Sequence, residues 1–73
     1  MGRLAGYKYR EIAKKLGQLG FQLFRECPGS HEMWIHADGR RTMLVRHPKD
    51  LPEGTLRAIL RIGSIDVDEF LSA

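Results

Sequence analysis

The sequence predicts an α+β domain: a three-stranded antiparallel sheet with helices packed on one of its faces. Three observations carry this. Apolar residues recur at helical spacing at the front and again near the end of the chain. Between them lie three short segments of strand character, each bounded by turn residues. Strands followed by helices, without regular alternation, indicate segregated layers and not a parallel α/β sheet. At 73 residues the chain forms one domain, spanning 1–73, with a modest core.

The elements follow in order. Tyr9, Ile12, Ala13, Leu16 and Leu19 make one stripe of an amphipathic helix, and Gly20 is placed to stop it in a left-handed cap. Residues 1–6 read as a loosely held lead-in. Phe21 and Leu23 alternate with Gln22 in a first strand running to Glu26, and Pro28-Gly29 makes a turn. A second strand runs from His31 to Ala37 and a third from Arg40 to Arg46. Asp38-Gly39 between them is the strongest local hairpin signal in the chain. Asp50 to Glu53 offers a capping box for a helix whose stripe is Leu56, Ile59 and Leu60, ended by Gly63. Asp66 to Glu69 offers a second capping box for a last short helix through Phe70 and Leu71. The predicted order is α-β-β-β-α plus that short helix. A free three-stranded sheet is marginal in water, so the helices must cover it.

Composition narrows the function classes. Apolar residues are 42% and charged residues 29% of the chain, an ordinary globular balance. No apolar run exceeds three residues, as in Met33-Trp34-Ile35, so nothing here spans a bilayer and the front of the chain lacks a signal-peptide stretch. Cys27 is the single cysteine and has no partner for an internal disulfide. A cytoplasmic protein without membrane contact is expected. Charge is uneven: residues 1–47 hold nine Lys or Arg against four Asp or Glu, a balance of +5, and residues 48–73 hold three against five, a balance of −2. A basic front suits a polyanion, and equally a solvated surface.

Candidate chemistry centres on Gly29-Ser30-His31. A histidine just after a tight glycine turn has a fixed backbone and an accessible ring, and imidazole takes and gives protons near neutral pH. On residues alone, a polar strand-edge histidine is the commoner explanation. Along the second strand His31, Met33 and Ile35 share one face, and Glu32, Trp34 and His36 the other. Both faces carry apolar residues, so the pattern leaves open which is buried. His36 and His47 are read as structural or solvated. Cys27, His31, His36 and His47 match no common zinc spacing, so neither a metal site nor a cofactor is expected. Ser30 and His31 leave opposite faces of an extended strand, which argues against a serine hydrolase. Ser30 is expected to bond the turn backbone. Arg40, Arg41 and Arg46 at the hairpin, with Lys14 and Lys15 on the first helix, are the candidate RNA-binding cations. Trp34 is assigned to the core in preference to base stacking.

The ordered set of segments resembles a known family. Gly20-Phe21, Arg25, Gly29-Ser30-His31, Asp38-Gly39-Arg40-Arg41 and His47-Pro48 form one half of the match. Gly54 to Arg61 and Val67 to Leu71 form the other. Over about residues 9–71 these look like the HicA toxins of bacterial and archaeal toxin–antitoxin pairs. The resemblance implies a fold similar to a double-stranded-RNA-binding domain and metal-independent cleavage of messenger RNA. It also implies a catalytic histidine at His31, supported by Gly29 and Ser30, and a HicB-type antitoxin as partner. It leaves the oligomeric state open. A non-catalytic RNA-binding module of the same fold is the alternative, and a protein-interaction domain with a basic surface is a third reading. Glu32 stands where many relatives carry a second histidine, and Glu26-Cys27-Pro28 precedes the glycine. Two extra acids are expected to weaken phosphate attraction near His31.

Overall fold

The computed structural model describes residues 3–73. Its elements are α1 (Tyr9–Gln18), β1 (Phe21–Cys27), β2 (His31–His36), β3 (Arg41–Val45), α2 (Glu53–Ile62) and α3 (Val67–Ser72). The sheet is antiparallel in the order β1-β2-β3, so the α+β expectation holds. Helices and core lie against the face that carries Trp34 and Leu44.

Ile12 and Leu16, one helical turn apart, are the buried residues of α1, and Tyr9, Ala13 and Leu19 pack beside them. Gly20 ends the helix at φ +97°, where its N–H donates to the Gly17 carbonyl. A side chain there is excluded twice, by that backbone angle and by His36, whose Nε2 would lie 2.6 Å from an added Cβ.

β1 pairs with β2 from Phe21 opposite His36 to Cys27 opposite His31, but the register slips between Leu23 and Arg25. Phe24 is the extra residue of a β-bulge, a device that bends a strand and re-aims a side chain. The expected alternation holds up to the bulge, with Phe21 and Leu23 opposite the helix-side residues His36 and Trp34 and Gln22 opposite Ile35. Phe21 is buried, however, while Leu23, on the edge strand, is exposed. The β2–β3 hairpin has a three-residue loop. Gly39 N–H donates to His36 O, and His36 N–H donates to Arg40 O, with Gly39 at φ +100°. This is the type I turn with a glycine bulge, one of the connections an Asp-Gly pair favours.

α2 buries Leu56, Ile59 and Leu60 as its spacing requires. The expected capping box does not form. Asp50 is taken by Lys8, 2.8 Å away, and the helix starts after Pro52, whose carbonyl accepts from Thr55 and Leu56. At the other end the Ile65 N–H reaches Leu60 O and the Ser64 N–H reaches Arg61 O, a Schellman closure. Ser64 takes the left-handed position at φ 53°, and Gly63 is needed for closeness instead: an added Cβ would lie 3.2 Å from both Ile65 and Thr42 side-chain carbons. Asp66 caps α3 through one bond, from the Asp68 N–H, in place of the reciprocal pair expected.

The lead-in also departs from expectation. Met1 and Gly2 lie outside the described residues, but Leu4 is 0% exposed and belongs to the core. Arg3 pairs with Asp68 across the chain. A side chain as apolar as leucine gains about 2 kcal/mol from such burial, enough to anchor a short segment without regular structure.

Candidate active site

His31 opens β2 on the face that no helix covers, and its side chain is exposed. The preceding turn holds two consecutive left-handed residues, Gly29 at φ +78° and Ser30 at φ 64°. Left-handed backbone costs a non-glycine residue on the order of 1 kcal/mol, and such strain tends to sit where geometry matters. The Ser30 carbonyl accepts from the Arg46 N–H at 2.9 Å, which ties the turn to β3. That backbone bond, not the hydroxyl, is the contact Ser30 makes among the described residues. The His31 ring lies along Gly29: a Cβ there would sit 3.4 Å from Cδ2. Glycine thus serves both the turn angle and the space beside the ring. Cys27 on one side and Val45 on the other are the residues directly across from His31.

Glu32 is the residue whose place the sequence hid. It points to the helix side and is 1% exposed. Its carboxylate accepts from Tyr9 Oη at 2.8 Å to both oxygens, from Trp34 Nε1 at 3.1 Å and from Arg46 Nε at 2.8 Å. Burial pushes its pKa up, but the bonds from Tyr9, Arg46 and Trp34 together with the Arg46 charge more than offset this, and the carboxyl is held below its ordinary value. Burial, then the bond to Glu32, pushes the Tyr9 hydroxyl up. The charge expected to repel phosphate near His31 is therefore matched by Arg46 and turned to the other face. Arg46 also reaches Glu26, at 3.3 Å.

The candidate cations divide into two groups. Arg40 is spent on structure: Nε donates to Asp38 at 2.8 Å, Nη1 to the Ser64 carbonyl at 3.1 Å, and the guanidinium lies over the Phe21 ring. Lys15 donates to the Ala73 carbonyl at 2.8 Å and lies near the Phe70 and Tyr7 rings. Arg46 holds Glu32, with its side chain still 53% exposed. Arg41 and Lys14 are exposed and make no ion pair or side-chain hydrogen bond among the described residues. Arg41 shares the face of His31; Lys14 stands on α1, on the helix side of the sheet.

The other histidines have local duties. His36 Nδ1 accepts from the Asp38 N–H at 3.0 Å, which leaves Nε2–H to donate to Leu19 O at 3.1 Å, and its ring meets Phe21 edge-on. The Asp38 carboxylate also lies 3.0 Å from Nδ1. This ring fastens the end of α1 to the hairpin. His47 Nδ1 lies against the Lys49 backbone in an exposed loop. Cys27 and His31 share one face while His36 takes the other, and no group of three or more potential metal ligands lies together among the described residues.

Sequence reading passed over Phe24 and over the place of Arg25, which lies across from Met33 on the face of His31. Phe24 broke the alternation of β1, and that break was the available signal for a bulge. No helix among the described residues is long and apolar enough to cross a membrane. No curated protein matches the chain. The family described as "HicA toxin of bacterial toxin-antitoxin" matches over residues 9–63, from the start of α1 to the end of α2 with the whole sheet between. That span holds the glycine turn, His31 and the paired strands that fix them, and the chain belongs to the HicA toxin family.

Proposed function

We propose that this toxin is an endoribonuclease that cuts messenger RNA without a metal ion, with His31 as its general acid or base. The observation that carries the reading is an exposed histidine fixed on the uncovered sheet face by a strained Gly29-Ser30 turn, in a chain of this family. In the reaction, imidazole takes the proton of a ribose 2′-hydroxyl, and the freed oxygen attacks the adjoining phosphorus. The bond from phosphorus to the 5′ oxygen of the next nucleotide then breaks. That leaving oxygen takes a proton from a second carrier: water, another side chain or the RNA. Cations near the phosphate stabilise the charge that develops there. Arg41 is the candidate on the face of His31; Arg40, Arg46 and Lys15 have structural bonds to keep, and Lys14 lies across the sheet on α1. A HicB-type antitoxin is the proposed partner, silencing the toxin by covering His31.

The test is cleavage of a long messenger RNA by purified protein in EDTA, beside His31→Ala. General acid–base catalysis contributes about 10²- to 10⁴-fold, so the variant is expected to lose at least a hundredfold in rate while remaining folded. Equal cleavage by both forms overturns the role of His31. No cleavage by the folded parent, with RNA still bound, moves the assignment to a non-catalytic RNA-binding module.

A further inference from the structure

The sheet face opposite the helices has its own composition. The β2 positions on it are His31, Met33 and Ile35, and β3 adds Met43 and Val45 opposite them. These apolar side chains are half-buried yet lie outside the core cluster. Phe24, at the bulge, is 58% exposed. Together with Met33, Ile35 and Arg41 it lines an open hollow of about 300 Å³, the lower end of the range for ligand sites.

Charge on this face has a single sign. Arg25 lies across from Met33 and Arg41 across from Ile35, and neither has an ion pair among the described residues. Arg3, Arg40, Arg46 and Arg57 have carboxylate partners, while Arg10 on α1 and Arg61 on α2 have none among the described residues. It is therefore the absence of acids on the open face that sets it apart. Glu26 and Glu32 occupy helix-side positions in the same register, so no acidic residue falls on the open face of the paired strands. From His31 to Ile35 the face runs roughly 13 Å along one strand.

We propose that this open face is a track for single-stranded RNA, on which Phe24 stacks a base and Arg25 and Arg41 hold phosphates, leading the strand to His31. The inference rests on the ribonuclease reading and specifies how that site takes its substrate. Stacking on Phe24 requires an unstacked base, which a duplex does not offer. Duplex RNA is read by shape through contacts spread over successive grooves, whereas single strands are read by stacking on a sheet with cations at its rim. The bulge supplies the aromatic, because the extra residue is free of the pairing that fixes its neighbours.

The experiment measures binding of a fluorescent single-stranded oligoribonucleotide, and of its duplex, to His31→Ala protein, so that the RNA stays intact. Phe24→Ala on that background is expected to weaken single-strand binding about five- to a hundredfold without changing thermal stability. Arg25→Ala with Arg41→Ala is expected to flatten the slope of log affinity against log salt by about 1.4. Lys14→Ala is expected to leave the Phe24 effect in place. Unchanged single-strand binding in the Phe24 and double-arginine variants overturns the track, as does tighter binding of the duplex. So does a result in which Phe24→Ala alters only self-association, which would make the face a contact between copies. The two readings fail separately. Cleavage by the His31 parent with binding indifferent to Phe24 removes the track alone. Binding that depends on Phe24 with no cleavage by the parent removes the ribonuclease reading alone.

Discussion

The two faces of β2 divide the work of the molecule between alternate residues. Glu32, Trp34 and His36 turn toward the helices, where every polar group is bonded: the carboxylate by three side chains, the indole N–H by that carboxylate, the imidazole by two backbone groups. His31, Met33 and Ile35 turn away, toward a surface with an open hollow and unpaired arginines. A period of two residues places a closed polar network and the exposed His31, the proposed catalytic group, next to each other in sequence on opposite faces of the sheet. Stability and chemistry can then vary almost independently along one strand.

The sharpest way to break this comparison is to alter the neighbours His31 and Glu32 one at a time. His31→Ala is expected to lower cleavage by at least a hundredfold and to leave the melting temperature nearly unchanged, since the ring is exposed. Glu32→Ala is expected to do the reverse. It strands the Trp34 N–H and the part-buried Tyr9 hydroxyl and opens a space in the packed side, while Arg46 keeps Glu26 and water. Stranding two such groups costs about 3 kcal/mol together. In a domain of this size that lowers the melting temperature by more than 10 °C. Calorimetry and a cleavage assay on both variants decide the matter, and a matching pattern in the two would show that the faces are coupled.

Acid sharpens the same point. Because the Glu32 carboxyl is held below its ordinary value in the folded state, the unfolded chain binds its proton first as pH falls. Its contribution is fully present above the unfolded value near 4.3 and is lost as pH drops through the lower folded value. Glu32→Gln, less stable at neutral pH, is therefore expected to show a flatter decline in stability below about pH 4. Denaturant melts at several pH values test this, and parallel curves for parent and variant would remove Glu32 from the acid response.

A third break point is where α1 meets the helix-side face. Gly20→Ala puts a side chain at φ +97° and 2.6 Å from His36 Nε2. A cost of about 2 kcal/mol is expected, with the His36 bond to Leu19 disturbed and His31 on the far face unaffected. Denaturant midpoints measure the cost, and NMR of the histidine side chains follows each ring. A response of His31 equal to that of His36 would refute the separation.

How much of this division was legible in the sequence depends on range. The helix stripes, the Gly20 stop and the Asp38-Gly39 hairpin are set by neighbours a few residues apart, and they were read correctly. The pattern left open which face of β2 is buried, because Met33 and Ile35 balance Trp34 and a period of two is blind to the difference. The assignment of Trp34 to the core nonetheless points to the right face. Glu32 looked like a liability to the site because its partners, Tyr9 and Arg46, lie 23 and 14 residues away. The Asp50 capping box failed because α2 starts two residues later than expected, with Pro52 at its N-cap, and the Asp50 carboxylate pairs instead with Lys8, 42 residues distant. Leu4 gave no periodic signal at all, since one buried side chain in a turn has no period. His31 and its glycine turn stood out in the residues, but the weight of a catalytic role came from a resemblance, and the left-handed Ser30 in that turn is visible only in backbone angles.

The smallest expected effect repeats the comparison on β3. Thr42 is buried on the helix side, where its hydroxyl donates to the Ile59 carbonyl at 2.6 Å. Met43, its neighbour, lies half-buried on the open face across from Met33. Thr42→Val keeps the shape and loses the bond, and the Ile59 carbonyl still accepts from the Gly63 N–H. A cost of about 1 kcal/mol follows, the net worth of one such bond. Met43→Gln changes polarity where water already reaches, so a cost below about 0.5 kcal/mol is expected. The difference is resolvable from the denaturant midpoints of the two variants. Equal costs, or a larger one at Met43, would mean that the open face is covered in solution by another copy of the chain. Its unpaired arginines and exposed Phe24 would then have to be explained as contacts of an assembly.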